Sequence, residues 1–475
     1  MIGMNIVGAT RIPAASGLEM DVLDPSTGER VGRVPSSGPR ETRLAIDAAA
    51  EAFRSWRRVP AQDRAARLHD FAGALDADRE RLASIISLEQ GKPRAEAGVE
   101  IDYATSFLRV SAEEAGGFEE DHLSIEGKDV RIMHQPVGVT AAITPWNFPI
   151  AMLAKKTAPA LAAGCVQVVK PAEQTPLSAI AYAEVALASG IPAGVVNVVT
   201  GPPEPIGRSL LDDARVRKLS FTGSTEVGRI LMRGASANLT RLSMELGGHA
   251  PFVVFEDADL ELAVRVTMAA KFRNAGQTCI APNRFIIHDH VHDEFVDRLR
   301  LEISGLVSGR GDRDGVDLGP LIDDHAMAKV SDHILDAVSK GASIACGGGR
   351  RTIPGLLDRF PDPTILLDTG PGMACWEEET FGPVCPLCRF SEEGEAVKLA
   401  NQTPYGLAAY AITADRSRID RLAADLEVGI VGINDGSPVV AEVPFGGVGH
   451  SGFGREGGRW ALQEYLETRT ISTAR

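Results

Sequence analysis

The fold class that the sequence predicts is α/β, with a doubly wound parallel sheet followed by a second α/β unit. Three patterns predict it. Residues from about 41 to 115 place apolar residues at helical spacing, and short β-rich runs alternate with helical stretches from about residue 137. A second alternating block begins after Gly248, so a second α/β domain is expected there.

An amphipathic helical layer is predicted from ETRLAIDAAAEAFRSW and RAARLHDFAGALDADRERLASIISLEQ, where apolar residues recur every three or four positions. The parallel sheet is predicted from VGVTAAIT, CVQVVK, VVNVVT and KLSFTG, which alternate with helical stretches such as MLAKKTAPALAAG. The second block runs from PFVVFEDADLELAVRVTMAAKFRNAG to about Asn434. The tail EYLETRTIS is predicted to be a lone strand, which must pair elsewhere in this subunit or in a neighbour.

Length and composition bound the class of protein. A chain of 475 residues with 44% apolar and 24% charged residues is expected to form two or three domains of an ordinary soluble enzyme. Its net charge of −15 argues against a nucleic acid or an anionic membrane as partner, because phosphate would repel it. Without an apolar run of signal-peptide or membrane-span length, and with six sparse cysteines, a cytoplasmic protein with reduced thiols is expected.

Three residues are candidates for nucleophilic and acid–base chemistry. Cys279 lies in KFRNAGQTCIAPNR among small and polar residues, where a thiolate can attack carbon; the alternative is a small buried apolar residue. Glu245 precedes Leu-Gly-Gly in SMELGGHAP and can activate water, or can be a solvated or capping carboxylate. Asn147 in TPWNFP follows a strand, and its amide can donate a hydrogen bond to a developing oxyanion.

Three other patterns look like binding motifs but are predicted not to be. GVGHSG, at residues 447–452, has GxGxxG spacing, yet no βαβ unit follows it, so a glycine-rich turn is predicted. Cys385 and Cys388 in CPLC have the spacing of zinc ligands but lack a second pair. HDHVHD, at residues 288–293, puts its histidines on one face if extended, where a solvated strand end is the alternative. We therefore predict no metal site.

Seven motifs occur along the chain in one order: TPWNFP, VVKPAEQTP, SFTGSTEVGR, MELGG, NAGQTC, EETFGP and PFGG. Through them the sequence resembles the aldehyde dehydrogenase superfamily over nearly its whole length. The resemblance implies NAD-dependent oxidation of an aldehyde to a carboxylic acid by a homodimer or homotetramer. It also implies a Rossmann-type NAD-binding domain at residues 1–117 and 137–247, an α/β catalytic domain at 248–450, and a small β oligomerisation element at 118–136 and 466–475.

The resemblance carries the catalytic roles of the family to matching positions. It implies that Cys279 forms a thioester, that Asn147 and the backbone N–H of Cys279 stabilise the oxyanion, and that Glu245 activates the hydrolytic water. It also implies that Lys156 and Glu456 lie near a proton exit route.

The cofactor is expected at the carboxyl ends of the parallel strands, where Lys170 and Glu173 follow CVQVV. By resemblance both bind the adenosine ribose, and the Glu173 carboxylate would repel a 2′-phosphate, so NAD is favoured over NADP. Gly223 and Gly228 are expected to present backbone N–H groups to the pyrophosphate at a helix N-terminus. Further contacts are implied for Ser224 with phosphate, Glu379 with the nicotinamide ribose, Phe381 beside the nicotinamide, and Thr144 and Trp146 in the same cofactor-facing motif.

Within the superfamily the chain is most similar to the succinate-semialdehyde dehydrogenase group, through KFRNAGQTC, LGPLID, GLAAYAITAD and GIVGIN. Arg273 matches one arginine with which that group holds a carboxylate, but Lys155 replaces the other, Val439 replaces a hydroxyl residue, and Ala281 replaces a cysteine of a redox switch. The hypothesis is a small aldehyde with an anionic or polar far end, held by Lys155 and Arg273; the alternative is an outward-pointing Lys155 and a neutral aldehyde. The predicted apolar walls, with plain core as their alternative, are Tyr103, Phe107 and Phe445.

Two other functions compete with this prediction. A non-catalytic structural relative typically loses the nucleophile or the base, and here both Cys279 and Glu245 are present. A relative that transfers the acyl group to coenzyme A lacks the glutamate that activates water. The presence of Glu245 therefore favours hydrolysis to the free acid.

Overall fold

The N-terminal part of the chain combines short strands with the predicted helical layer. This computed structural model describes residues 1–118 and 120–475. Prolines lie at or directly before the first residue of three helices, where a missing N–H breaks no helical hydrogen bond. The elements are β1 (Asn5–Val7), β2 (Thr10–Ile12), β3 (Glu19–Leu23), β4 (Arg30–Pro35), α1 (Pro39–Trp56), α2 (Ala61–Ala77), α3 (Arg79–Gln90) and α4 (Arg94–Glu114).

The middle of the chain is a hairpin followed by the predicted alternation of strands and helices. Its buried parallel strands are nearly continuous apolar runs, as expected of strands covered on both faces. The elements are β5 (Asp121–Ile125), β6 (Lys128–Pro136), β7 (Val139–Ile143), α5 (Ala151–Ala162), β8 (Val166–Lys170), α6 (Pro176–Ala188), β9 (Val196–Val198), α7 (Pro203–Asp212), β10 (Val216–Thr222), α8 (Thr225–Ala235) and β11 (Arg241–Glu245).

The remaining chain forms a second alternating block and a short tail. The block comprises β12 (Ala250–Val254), α9 (Leu260–Lys271), a 3-10 turn (Arg273–Gly276), β13 (Pro282–His288), α10 (His292–Ser304), α11 (Asp324–Ser339), β14 (Ser343–Cys346), β15 (Thr364–Leu367), α12 (Ala374–Glu377), β16 (Val384–Phe390), α13 (Glu393–Asn401), β17 (Tyr405–Gly406), β18 (Ala408–Ile412), α14 (Arg416–Asp425) and β19 (Ile430–Ile433). The tail comprises β20 (Val448–Gly449), β21 (Gly452–Phe453), α15 (Gly458–Gln463) and β22 (Leu466–Ala474).

The first large sheet has eight strands in the order β2-β1-β9-β8-β7-β10-β11-β21. The five strands from β9 to β11 are parallel, and the outer strands are antiparallel additions. The chain moves from β7 to β8 and β9 on one side and then to β10 and β11 on the other. Because the order reverses between β7 and β10, a ligand is expected at the carboxyl ends of these strands. The predicted doubly wound sheet is confirmed.

The second large sheet has seven strands in the order β14-β15-β16-β13-β12-β18-β19. All neighbours in it are parallel except β14 and β15. Each large sheet has its own hydrophobic core. The second α/β block predicted after Gly248 therefore forms, and the domain limits assigned by resemblance stay a prediction.

The tail strand pairs within its own chain. β22 lies antiparallel to β6, from Leu466 opposite Pro136 to Ala474 opposite Lys128, in a three-stranded sheet that β5 completes. The predicted oligomerisation segment 118–136 contains Glu119, which lies outside the described residues. Its role in assembly stays a prediction. Among the helices that the structure describes, none is both long and apolar enough to cross a membrane.

Candidate active site

Cys279 lies in a tight turn between the 3-10 turn after α9 and the start of β13. Asn274 and Ala275 in this turn adopt left-handed backbone angles, with φ of 52° and 53°, although neither is glycine. Such strain persists only where the surroundings hold it. Gln277 supplies part of that hold, since its side chain accepts from the N–H of Ile322 at 3.0 Å and donates to the carbonyl of Asn274 at 3.0 Å.

The MELGG segment packs directly on the turn that carries Cys279, the predicted nucleophile. A Cβ atom at Gly248 would overlap the carbonyl oxygen of Cys279, so this approach requires glycine. Glu245 ends β11 just before this contact. The carboxyl edge of the first sheet therefore meets the segment that precedes β13 of the second sheet, and Glu245 and Cys279 belong to one site.

Asn147 is buried at the carboxyl end of β7, beside the same turn. Its Nδ2 donates to the carbonyl oxygen of Gln277 at 3.0 Å, two residues before Cys279. Its Oδ1 is buried without a hydrogen-bond partner among the described residues. One N–H of the amide is thus anchored, and the second can donate to a group that forms beside Cys279.

Burial favours the protonated form of both Cys279 and Glu245, the predicted nucleophile and base. It raises the pKa of the Cys279 thiol to about 12, an effect that the Lys155 ammonium opposes. It also raises the pKa of Glu245 well above its usual value, reinforced by the charge of Glu456 and opposed by Lys155 and Lys156. Both oxygens of Glu245 lack a partner among the described residues. Both groups must therefore lose a proton before they can act as nucleophile and base.

Lys156 and Glu456 form a buried ion pair close enough to Glu245 to act on its charge. Lys156 Nζ also donates to Oγ1 of Thr222 at 2.6 Å. Burial alone would raise the pKa of Glu456, but Lys156 and Lys155 together lower it below its usual value. This cluster of two lysines and two glutamates is an arrangement in which protons can be exchanged, and its part in a proton exit route stays a prediction.

Lys155 points inward, so the outward orientation that the sequence left open is wrong. Its side chain is 1% exposed, and Nζ lies 3.1 Å from the centre of the Phe445 ring and 5.7 Å from that of Phe107. Nζ makes an ion pair with Glu456 Oε2 at 3.7 Å but has no hydrogen bond within the described part of the chain. A buried ammonium with free donor capacity can receive an acceptor from a ligand.

Tyr103, Phe107 and Arg273 surround the same space. The Tyr103 and Phe107 rings pack edge to face, with their centres 4.7 Å apart. Burial raises the pKa of the Tyr103 phenol, and the nearby charge of Arg273 only partly opposes this effect. The Arg273 guanidinium lies 5.3 Å from the centre of the Phe148 ring. Val439 is half-buried and packs against the second core. Its place in a substrate pocket stays a prediction.

The predicted ribose-binding pair lies at the carboxyl end of β8. Lys170 makes an ion pair with Glu173, and its backbone carbonyl accepts from the N–H of Thr144 at 3.1 Å. This bond joins the end of β8 to the TPWNFP segment after β7. Both segments therefore face the edge at which the topology predicts a nucleotide.

The expected phosphate contacts of Gly223 and Gly228 need correction. The N–H of Gly223 donates to the carbonyl of Glu245 at 3.0 Å, and the N–H of Gly228 donates to the carbonyl of Ser224 at 3.0 Å. Neither N–H is free for pyrophosphate, because Gly228 already makes the first hydrogen bond within α8. The missing side chain of Gly228 instead makes room for Leu246, since a Cβ at this position would lie 2.6 Å from the Leu246 side chain. Ser224 is the N-cap of α8, accepting from Val227 N–H at 3.3 Å.

The EETFGP segment closes the opposite side of this edge. Glu379 Oε1 accepts from the N–H of Gly248 at 3.1 Å, and burial raises the pKa of this carboxyl to about 7. Phe381 has a left-handed φ of 57°, unusual for a bulky residue, and its ring meets that of Trp146 at 5.6 Å. The implied contacts of both nicotinamide-side residues stay predictions.

The structure places the histidines of HDHVHD and the cysteines of CPLC on different elements or different faces. In HDHVHD, β13 ends at His288 and α10 begins at His292, so these histidines do not share one extended face. Cys385 and Cys388 lie three residues apart on β16, hence on opposite faces. No group of three or more potential metal ligands occurs among the described residues.

Sequence reasoning missed several residues that shape this site, chiefly Gly248, Asn274, Gln277 and Lys92. Gln277 stands in the quoted motif NAGQTC, so its place two residues before the nucleophile was a usable signal. Lys92 offered none, because a lysine between two helices is usually solvated. Here it is fully buried and bonded to the carbonyl of Asn147.

The chain is similar to known proteins over nearly its whole length. The profile of the Aldehyde dehydrogenase family matches residues 12–471. The chain is 48% identical to the succinate-semialdehyde dehydrogenase [NADP(+)] of Escherichia coli (strain K12), over 98% of this chain and 96% of the relative. It is 46% identical to the 3-sulfolactaldehyde dehydrogenase of Pseudomonas putida, over 97% and 94%. The crystal structure of succinate-semialdehyde dehydrogenase from Burkholderia pseudomallei superposes with a TM-score of 0.98 at 47% identity, over 100% of this chain and 98% of that one.

Proposed function

Since this chain belongs to the aldehyde dehydrogenase family and is an oxidoreductase, we propose that it oxidises a small aldehyde with an anionic far end to the corresponding acid, preferring NAD. The observation that carries the substrate class is the buried Lys155 ammonium, which has no hydrogen bond within the described residues and lies among Phe107 and Phe445. The experiment that tests the proposal is an assay of NAD(P)H formation across aldehydes with anionic, neutral and aromatic far ends.

The proposed reaction uses the three residues that meet between the sheets. The Cys279 thiolate attacks the aldehyde carbon, and the free N–H of the Asn147 amide, with the backbone N–H of Cys279, stabilises the oxyanion. NAD(P), when bound, supplies the hydride acceptor. Glu245 then takes a proton from the water that attacks the thioester, releasing the acid and the thiol. The Lys156 and Glu456 pair lies near Glu245 and can pass that proton on.

Charge supports an anionic far end of the substrate. Lys155 and Arg273 both act to lower the pKa of the Cys279 thiol against the effect of burial, so two cations lie near the proposed nucleophile. The two relatives above are named for succinate semialdehyde and 3-sulfolactaldehyde, which carry a carboxylate and a sulfonate. A neutral aldehyde would leave the buried Lys155 Nζ with its ion pair to Glu456 but without a hydrogen bond to any residue that the structure describes, and a buried polar group without a hydrogen bond costs free energy.

Lys155→Met is expected to lower kcat/KM for succinate semialdehyde by about 10- to 100-fold, because a hydrogen bond to a charged group contributes about 1.5–3 kcal/mol. Butanal, which has the same chain length without the carboxylate, is the matched control substrate. Lys155 also counters Glu456, so some loss with butanal is expected. The quantity measured is therefore the ratio of the two kcat/KM values, and an unchanged ratio would contradict the anionic pocket.

The preference for NAD is proposed from Glu173 at the end of β8. Its carboxylate can accept a hydrogen bond from the ribose 2′-OH, whereas a 2′-phosphate would meet a like charge. The relative from Escherichia coli is named as an NADP enzyme, so this preference does not follow from family membership. The residues at this edge fit a dinucleotide, since Lys170 and Glu173 lie at the carboxyl edge of the doubly wound sheet.

Glu173→Gln is expected to raise kcat/KM for NADP about tenfold relative to NAD, because it removes the charge but keeps the shape. Initial rates with each cofactor at saturating aldehyde measure this ratio. Glu184→Gln is the matched control, since Glu184 lies on the nearby α6 and pairs with Arg11 at the surface. A wild-type preference for NADP would refute the assignment directly.

Three further features remain part of the proposal. We propose a homodimer or homotetramer, with the sheet of β22, β6 and β5 as the assembly element. All six cysteines are free, which supports a reducing, cytoplasmic setting. The presence of Glu245 supports hydrolysis over transfer to coenzyme A, and formation of acyl-coenzyme A instead of free acid would overturn this choice.

A further inference from the structure

A fully buried ion pair lies next to the proposed active site and has no part in the reaction described above. Lys92, between α3 and α4, contacts Glu100 of α4 with Nζ 2.6 Å from Oε2, and both side chains are 0% exposed. Because desolvation of two charges offsets much of their attraction, such a pair is weak evidence for a stabilising role. Its other hydrogen bonds indicate what it does.

Both members of the pair bond to the segment that carries Asn147. Lys92 Nζ donates to the backbone carbonyl of Asn147 at 2.7 Å and lies 3.8 Å from the centre of the Phe148 ring. Glu100 Oε1 accepts from the N–H groups of Ile150 and Ala151, at 2.9 and 3.2 Å. The pair therefore holds the residue proposed as oxyanion donor and the start of α5, the helix that carries the two active-site lysines.

A second set of bonds ties the same carbonyl to the nucleophile turn. Asn274 Nδ2 donates to the Asn147 carbonyl at 3.2 Å and to the Gln277 carbonyl at 3.3 Å. Gln90 Nε2 donates to Asn274 Oδ1 at 2.9 Å, and Gln90 Oε1 accepts from the Lys92 N–H at 3.0 Å. These hydrogen bonds link Lys92, Asn147, Asn274 and Gln90 in a ring. A displacement of Lys92 would therefore shift both Asn147 and the turn before Cys279.

We infer that Lys92 and Glu100 are positioning residues, which hold the backbone of Asn147 so that its amide meets the oxyanion formed at Cys279. This inference rests on the proposed function. With the Asn147 carbonyl held by Lys92 and Asn274, only the side-chain torsions of Asn147 remain, and its Nδ2 is anchored on Gln277. Oxyanion stabilisation depends on donor placement within a fraction of an ångström, so a looser backbone costs rate.

Three variants test the inference: Lys92→Met, Glu100→Gln and the double variant Lys92→Met/Glu100→Gln. Lys92→Met removes the donor to Asn147 and leaves Glu100 unpaired, so it is also expected to lower Tm. The double variant removes both charges, so its Tm is expected to recover while the Asn147 carbonyl still lacks the lysine. Glu100→Gln keeps an acceptor for the N–H groups of Ile150 and Ala151 and alters only the pairing with Lys92.

Two reactions of Cys279 distinguish a loss of Asn147 positioning from a general disruption of the site. Hydrolysis of p-nitrophenyl acetate without cofactor passes through an oxyanion, since the thiolate adds to the ester carbonyl, p-nitrophenolate leaves and water cleaves the thioester. Alkylation by iodoacetamide displaces iodide at a saturated carbon and forms no oxyanion. Lys92→Met and the double variant are expected to lose about 10- to 100-fold in ester hydrolysis and in kcat for aldehyde oxidation. Their alkylation rate at Cys279, followed by peptide mass, should stay within about threefold of wild type.

Several results would contradict the positioning role of Lys92 and Glu100. Ester hydrolysis within about threefold of wild type in both Lys92 variants, or an equal loss of alkylation, would overturn the positioning role. Recovery of kcat together with Tm in the double variant would do the same, because it would show that only the unpaired charge mattered. Wild-type protein that hydrolyses the ester but oxidises no aldehyde would instead overturn the proposed function.

Discussion

Cys279→Ala is expected to lower the rate of aldehyde oxidation by at least about 10⁴-fold, because no other described thiol lies in the site and the thioester cannot form. The other five cysteines lie in β14, β16, α12 or directly before β8, away from the turn that precedes β13. The measurement is NAD(P)H formation under saturating aldehyde and cofactor. Cofactor binding, followed by fluorescence titration, should be nearly unchanged.

Cys346→Ala is the matched control for loss of a thiol. Cys346 is the other half-buried cysteine, and it lies at the end of β14 in the outermost part of the second sheet. Its replacement is expected to leave kcat within about twofold of wild type, as for most substitutions away from a functional feature. Substantial oxidation by Cys279→Ala, or loss of activity in Cys346→Ala alone, would contradict the assignment of the nucleophile.

The convergence of the candidate site residues could be predicted in part, because these residues lie in motifs at the ends or starts of strands. Asn147 follows β7, Glu245 ends β11, and the turn with Cys279 precedes β13. Once parallel sheets are predicted, residues at the carboxyl ends of neighbouring strands are expected to converge. The contact of Gly248 with Cys279 joins the two sheets, and no local pattern indicates it, because the residues are distant in sequence.

Other features could not be predicted for reasons that are equally physical. The sequence predicts that Gly228 presents its backbone N–H to phosphate at a helix N-terminus, but this N–H already donates within α8, and the missing side chain makes room for Leu246. The sequence does not indicate which strand pairs with the tail strand, because β22 pairs with β6, which lies more than 300 positions earlier in the chain. The burial of Lys92 could not be predicted from the sequence, because a lysine is usually exposed and its burial depends on the whole fold.

Glu245→Gln is expected to lower steady-state oxidation about 10³-fold while sparing the first turnover, because general-base catalysis contributes roughly 10²–10⁴-fold. Glutamine keeps the size of the buried side chain but cannot take a proton from water. Oxidation of the aldehyde by Cys279 should therefore proceed once, and the thioester should accumulate. Rapid mixing should give a burst of one NAD(P)H per subunit, and mass spectrometry of the quenched protein should find the acyl group on the Cys279 peptide.

The dependence on pH separates the two steps. Burial raises the pKa of both Glu245 and Cys279, and each must be deprotonated to act, so the wild-type rate should rise as pH increases through and above neutrality. In Glu245→Gln the slow steady-state rate should increase less steeply with pH, because the contribution from deprotonation of Glu245 is gone. The burst rate should keep its increase with pH, because the thiol must still ionise.

Glu302→Gln, which neutralises an exposed carboxylate on α10, is the matched control and should leave both phases unchanged. A variant Glu245→Gln with no burst would place Glu245 in thiol activation instead of thioester hydrolysis, since acylation itself would then need the carboxylate. The buried charges favour hydrolysis as its role: Glu245 has no bonded partner among the described residues, whereas the cations that act on Cys279 are Lys155 and Arg273. Once it is deprotonated, a desolvated carboxylate beside a lysine and glutamate pair can take a proton from water and pass it onward.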